Sequence, residues 1–354
     1  MRKAIKTILI LLLVLLVLVG AYIAYAFLDY KRLEDNLPLE VTAGAVTPVE
    51  IGDTCRVVSY NIGFGAYSDD YSFFMDGGTE SRARSPEAVN QNISGAMAAV
   101  QALEPDFLLA QEVDFDATRS HHIDERALVR QSFPGFASVF SQNYDSPYLL
   151  WPLHEPHGAN KAGTMTLSRY GITSSLRRSL PIEKGFMMMV DLDRCYSVSR
   201  IPLDNGKELA LYNFHLSAYT SDGKIAEEQL SLLFADMAGE VSKGNYVVAG
   251  GDFNKDLLGN AAEVFGVSCE NSTWAKPIPP ELIPDGFSIE APFDDEDRIA
   301  SCRNADSPYG PDSFRITVDG FIVSNNVEVV HSEVIDTGFR WSDHNPVYMD
   351  FKLS

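Results

Sequence analysis

Positive charge is what this sequence has least of. Its 354 residues hold 28 Lys and Arg against 49 Asp and Glu, a formal net charge of −21. Three of the basic residues (Arg2, Lys3, Lys6) precede residue 29, so the remainder sets 25 basic against 49 acidic side chains, a formal −24, with no basic run or stripe. Proteins that grip nucleic-acid backbones without sequence preference carry a basic footprint. Its absence argues against a dedicated nuclease, unless metal ions and local arginines offset the field. Cysteine is scarce too. Cys55, Cys195, Cys269 and Cys302 follow no zinc-ligand spacing. Cys269 and Cys302 bracket an irregular acidic insertion, 270–301, and a disulfide between them would tie its ends together. No internal repeat or low-complexity tract is present, and 45% hydrophobic content fits a globular enzyme rather than a disordered chain.

Acidic residues are also missing from the first 28 positions. A basic tip, 1–6, precedes an uncharged run from Thr7 to Leu28, 22 residues. About 20 suffice to cross a bilayer. The flanking charge favours an N-terminus left in the cytoplasm and a domain outside it. Ala24-Tyr25-Ala26 also fits a small-x-small signal cleavage site, so a secreted product is the alternative to a single-pass anchor. Residues 29–53, with Pro38 and Pro48, read as a spacer, and 54–354 as one large catalytic domain.

Within that domain, apolar β-branched runs predict strands at 54–62, 136–142, 163–168, 172–180, 186–192, 197–203, 314–324, 327–335 and 345–352. Others end at Glu112, His215 and Asp252. Ser85-Pro86 opens a helix with Val89, Ile93, Met97, Val100 and Leu103 on one face. A second helix spans 225–241. Residues 63–84 form a long loop. Consecutive Met187, Met188 and Met189 cannot share a strand face, so they read as core filling.

Five polar clusters stand at strand ends: Ser59-Tyr60-Asn61, Gln111-Glu112-Val113, Asn213-Phe214-His215, Gly251-Asp252-Phe253-Asn254 and Ser342-Asp343-His344. Such placement puts oxygen and imidazole ligands along one rim of a sheet, with no thiolate among them. Oxygen-rich sets suit a hard cation beside a phosphate. In this order the clusters, with the strand Val318-Asp319-Gly320-Phe321-Ile322-Val323, resemble the endonuclease/exonuclease/phosphatase family of metal-dependent phosphoesterases over residues 56–351.

The resemblance implies an α/β four-layer sandwich, two packed and mainly antiparallel sheets flanked by helices. It implies Mg²⁺, or Mn²⁺ in its place, held by Glu112 with Asn61 and Asp343. Asp252 would orient the attacking water or a second metal and Asn254 would hold a phosphate oxygen, their side chains pointing alike because they lie two apart. His344 would act as base or phosphate ligand with Asp319 on its other nitrogen, and His215 would stabilise the leaving oxygen. Arg82, Arg84, Arg119 and His122 are the substrate-contact candidates. The expected protein is a monomeric, membrane-anchored, extracytoplasmic phosphoesterase for small or lipid-linked esters. A secreted deoxyribonuclease-like enzyme and a non-catalytic surface binding protein on the same fold are the alternatives.

Overall fold

The computed structural model describes the whole chain except Met1, Ala43, Ala45 and residues 184–190, 219–223 and 268–274. The chain starts with helix α1 (Arg2–Asp29), whose mean hydropathy reaches 3.0 and whose large aliphatic side chains are exposed, Ala26 being buried. It is long and apolar enough to cross a membrane.

Two seven-stranded sheets follow. The first has the order β1 (Leu37–Pro38), β7 (Ser174–Ser179), β8 (Cys195–Pro202), β9 (Glu208–His215), β10 (Tyr246–Asp252), β14 (Asp319–Ser324), β11 (Phe287–Glu290). The second runs β15 (Val327–Val334), β16 (Val347–Leu353), β3 (Thr54–Asn61), β4 (Phe107–Ala117), β6 (Asn160–Ser168), β5 (Ala137–Asp145), β2 (Val41–Thr42). Neighbours pair antiparallel except at β3–β4 and β9–β10. A small ribbon joins β12 (Cys302–Arg303) to β13 (Arg315–Ile316).

The central strands β3, β9 and β10 are buried on both faces and correspondingly apolar. Val57, Phe107, Leu109, Leu211, Val248, Phe321 and Phe351 fill the space between the sheets. The outer face of the second sheet is covered by α2 (Pro86–Gln101) and α3 (Glu125–Ser132), through Val89, Ile93, Met97 and Val129. That of the first is covered by α4 (Lys224–Ser242), through Leu230, Leu233 and Met237. A short α5 (Ala261–Phe265) packs by β13. The result is the expected four-layer α/β sandwich, with both sheets mixed rather than wholly antiparallel. Ser85 caps α2 by accepting from Ala88 N at 3.1 Å, with Pro86 in the first turn.

Several local expectations change. Residues 29–53 do not hang free: β1 extends one sheet, β2 extends the other, and Val49 is fully buried. The 314–324 run divides at Thr317–Val318 into β13 and β14, in different sheets. The acidic insertion is not wholly irregular, since β11 pairs with β14. Cys302 is a free, buried thiol rather than half of a bridge, and Cys269 lies outside the described residues. So do Met187, Met188, Met189 and most of the 186–192 strand; Asp191 and Leu192 are not in a strand.

Candidate active site

Both parallel pairs and the β10–β14 pair deliver polar residues to one rim. Asn61 ends β3, His215 ends β9 and Asp252 ends β10. In register, Asp252 sits beside His215 on one side and Asp319 on the other. Gly251 makes this approach feasible, because a Cβ there would fall 2.0 Å from Phe214 O. Glu112 arrives differently, within β4 rather than at its end as expected, since the strand runs on to Ala117. It sits where the β4–β6 register shifts between Ala110 and Val113, with φ +54°. The bulge turns its carboxylate into the pocket, and a left-handed non-glycine residue costs about 1–3 kcal/mol. Underneath, Gln111 Nε2 donates to Asn213 Oδ1 at 2.9 Å, a buried polar clamp between the sheets.

The pocket, about 200 Å³, is lined by Glu112, Asp252, Asn254, His215, Asp343 and His344 together with Arg119, Arg194 and Arg303. His344 Nδ1 donates to Asp319 Oδ2 at 2.8 Å. Its Nε2 lies 3.8 Å from Asp252 Oδ2, which is also 3.4 Å from His215 Nε2. Asn61 Nδ2 donates to Glu112 Oε1 at 3.1 Å and to Asp252 Oδ2 at 3.2 Å, while its Oδ1 accepts from Gly63 N. As it stands, Asn61 orients the two carboxylates. Asn254 faces the same pocket as Asp252, though not by strand alternation. It lies beyond the end of β10 with φ +50°, its backbone N–H donating to Asp252 Oδ1.

The electrostatics divide the two histidines. Burial holds His215 well below the usual imidazole range, reinforced by the positive charges of Arg194, His344 and Arg119, so it is neutral. Burial also pulls His344 down, but Asp319 and the Cys302 thiol outweigh it, and the ring stands well above the usual range as an imidazolium. Burial raises Asp252, and lifts Asp343 to about 6 with help from Glu112.

These carboxylates fit a divalent cation. Buried oxygen donors gathered at one point, with Asp319 Oδ1 left without a partner among the described residues, are hard ligands whose mutual repulsion a cation would remove. Asp252, Asp319 and His344 bring ligand atoms within 4.8 Å of one another. Two of those three are already committed to each other through His344 Nδ1, so Glu112 and Asp343, facing the same pocket, are the better holders.

Of the arginines expected to contact substrate, only Arg119 lines the pocket. Its Nε and Nη2 grip buried Asp114 at 3.0 and 2.8 Å, and its guanidinium lies 3.9 Å over Phe64. Arg82 is spent on Pro156 O, and Arg84 pairs with Asp70 and Glu80 at a separate cleft. His122 is exposed and paired with Asp116. Arg194 and Arg303 were not singled out from the sequence. Arg194 donates to His215 O and Leu216 O, and Arg303 to Ser68 O and Tyr71 O, so both tie loops to the rim while placing positive charge at the pocket. Arg303 has no ion-pair partner among the described residues, and no local sequence signal marks it.

A family model described as the Endonuclease/Exonuclease/phosphatase family matches residues 58–344. The chain belongs to that family, which places it among metal-dependent phosphoric ester hydrolases. No curated protein matches the sequence. Among solved structures, the fold is similar to an endonuclease/exonuclease/phosphatase from Beutenbergia cavernae DSM 12333, at 17% identity and TM-score 0.57, covering 85% of this chain and 72% of that one. It is similar also to ANGEL2, a 2′,3′-cyclic phosphatase, at 16% identity and TM-score 0.55, covering 90% of this chain and 99% of that one. The human Nocturnin catalytic domain aligns at 16% identity and TM-score 0.51, covering 89% of this chain and 97% of that one.

Proposed function

We propose that this protein is a membrane-anchored, extracytoplasmic, Mg²⁺-dependent phosphoesterase acting on small or lipid-linked phosphate esters. The observation that carries the reading is the convergence of the His344–Asp319 pair, Asp252 and His215 with Glu112 and Asp343 on one arginine-lined pocket. The strongly acidic surface supports small or lipid-linked substrates, since a long polyanion would have to approach against it.

Glu112 and Asp343, oriented by Asn61 and its neighbours, would hold the cation. Bound there, a divalent ion supplies neutralisation of the charge that builds on phosphoryl and leaving oxygens. The chain's own groups do the rest. His344, an imidazolium steadied by Asp319, donates from Nε2 to a phosphoryl oxygen. Arg119, Arg194 and Arg303 raise the positive potential around the phosphate. Asp252, its carboxyl raised by burial, takes the proton of the attacking water as the new P–O bond forms. The ester P–O bond breaks in line with that attack, and the departing oxygen takes a proton from solvent. Neutral His215 holds Asp252 Oδ2 in place from the other side.

The test is a substrate panel on the full-length protein: an aryl phosphodiester, an aryl phosphomonoester, a vesicle-borne headgroup ester and plasmid DNA. Each is assayed with chelator and after adding back Mg²⁺ or Mn²⁺. Metal-dependent turnover that favours small or lipid-linked esters by kcat/KM is expected. Efficient plasmid cleavage with every small ester resisting would replace this reading with a nuclease. Inertness toward all of them would favour a binding protein.

A further inference from the structure

Outside α1, the described residues expose seven large apolar side chains, and four of them fall within six positions: Tyr148, Leu150, Trp151 and Leu153. Trp151 is 66% and Leu153 75% exposed. Isolated exposed apolar residues need no explanation, but a cluster on one loop does. This loop is fastened to α1. Tyr22 Oη donates to Tyr148 O at 3.0 Å, and Tyr25 Oη accepts from Tyr148 N at 3.1 Å. Two tyrosines from the end of the helix thus clamp both backbone polar groups of Tyr148.

That clamp sets a depth. Tyr25 and Tyr22 lie three and six residues before Leu28, the last residue of the apolar run. At 1.5 Å per residue they stand about 4.5 and 9 Å inside its outer end. When the run fills a bilayer, Tyr25 stands near the hydrocarbon's outer edge, where Tyr and Trp concentrate, and Tyr22 lies one turn deeper. Tyr22, Tyr25, Tyr148 and Trp151 then form an aromatic belt on one side of the domain.

The same loop reaches the pocket. Its far end carries His157, which lines the pocket and packs against Phe73 and Phe74 at 5.7 and 5.6 Å. His157 also bonds Ser81 O through Nδ1, and Ser81 Oγ donates back to Glu155 O. Met75, 57% exposed, stands at the same mouth.

We propose that the Tyr148–Leu153 loop is a second membrane contact, inserting Leu150, Trp151 and Leu153 into the interface of the bilayer that α1 spans, so that the pocket opens at the lipid surface. This rests on the membrane-anchored phosphoesterase reading and deepens it: the substrate is an ester presented at a bilayer surface. The occupant is lipid rather than another protein, because the loop is held at the depth where the chain's own anchor leaves the hydrocarbon.

Two measurements on the full-length chain in phosphatidylcholine vesicles test it. In the Trp274→Phe/Trp341→Phe background, Trp151 emission should be quenched by brominated acyl chains and shielded from iodide. Free access to iodide without bromolipid quenching overturns the proposal. Shielding from both does so as well, since a second copy or another protein would then cover the loop. With the native tryptophans kept, Trp151→Ser/Leu153→Ser should slow hydrolysis of a vesicle-borne phosphoester about tenfold, less than the full burial of two large apolar side chains is worth because α1 still holds the domain at the bilayer. Hydrolysis of a soluble aryl phosphoester should be unchanged; equal losses on both would make the loop a structural element and overturn the proposal. Flotation with vesicles tests the anchor separately, and its failure removes the docking too. Absence of all hydrolysis removes the phosphoesterase reading while the quenching still decides the loop.

Discussion

Strands β9 and β10 carry charge at both ends, and the two ends treat it in opposite ways. At their start, Arg200 from β8 bonds Glu208 at 2.9 Å and Glu240 at 2.8 Å, and Lys243 and Asn245 complete the shell of Glu240 at 2.8 Å each. The Arg200 hydrogen bond, chiefly, holds the Glu240 carboxyl down at about 2. At the other end, Asp252 and Asp343 are raised by burial, and buried Arg303 has only carbonyl partners. One end satisfies its charges, which stabilises the fold. The other leaves its carboxyls raised rather than lowered and its buried arginine without a carboxylate, which costs stability and suits a cation and a phosphate.

The largest effect that could break this contrast is at Glu112. Glu112→Gln should lower kcat by about 10²–10³-fold, the scale of losing one charge-stabilising group. Thermal melting should show a folded domain, and a Mg²⁺ titration should show weakened metal dependence. Near-normal turnover would sink the assignment. Asp319→Asn comes next. It leaves the imidazole in place but removes its carboxylate, and should cut kcat by about 10–100-fold with KM little changed. A pure KM effect would mean that Asp319 serves binding instead.

Arg303→Met sharpens the contrast from the cationic side. KM for a phosphoester should rise about tenfold, the scale of one charged hydrogen-bonding partner, and chelator-treated protein should lose stability too, because the carbonyls of Ser68 and Tyr71 lose their donor. Asp343→Asn should do the opposite for the fold, raising the melting temperature in chelator by the equivalent of about 1 kcal/mol because a carboxylate that burial and Glu112 disfavour is gone. A fall in melting temperature would show that Asp343 is already satisfied.

The smallest effect belongs to the satisfied end. Glu240 is depressed in the folded state, so its contribution is fully present above the unfolded carboxyl value of 4.5 and is lost as pH falls toward about 2. Arg200→Met should therefore cost about 1 kcal/mol at pH 7, allowing for solvent screening around a partly exposed arginine. The deficit should shrink as pH drops below 4.5, with kcat unchanged. Urea melts at pH 7 and pH 3 would measure both.

Much of the fold was legible because its signals are local. β-Branched runs mark strands, and Ser85-Pro86 with apolar residues at helical spacing marks α2. The polar clusters were legible for a related reason: a polar residue closing a buried strand has few other places to go. The short edge strands β1 and β2 were not, since two-residue strands have no periodicity and exist only because a sheet edge offers them partners. Arg194 and Arg303 were equally hidden. Arg303 reaches Ser68 O across 235 positions of chain, and nothing near residue 303 announces that contact. Arg82 and Arg84, plausible by their loop, are spent on neighbours that only the packed loop supplies.

By itself, then, the sequence determined the family, the order of the main strands, that Asn61, His215 and Asp252 close buried strands, and the apolar helix at the start. Each of these is written in composition or short-range pattern, where backbone geometry translates residue spacing directly into which face a side chain occupies. Only the tertiary structure decided that Glu112 enters the pocket from a left-handed bulge and that His344 rather than His215 carries the charge. It also decided which arginines face the pocket, and that Tyr148 is fastened to α1 while His157, farther along the same loop, lines the pocket. Those outcomes depend on groups far apart in the chain, because burial, charge pairing and bulge geometry belong to the packed environment and not to any one residue.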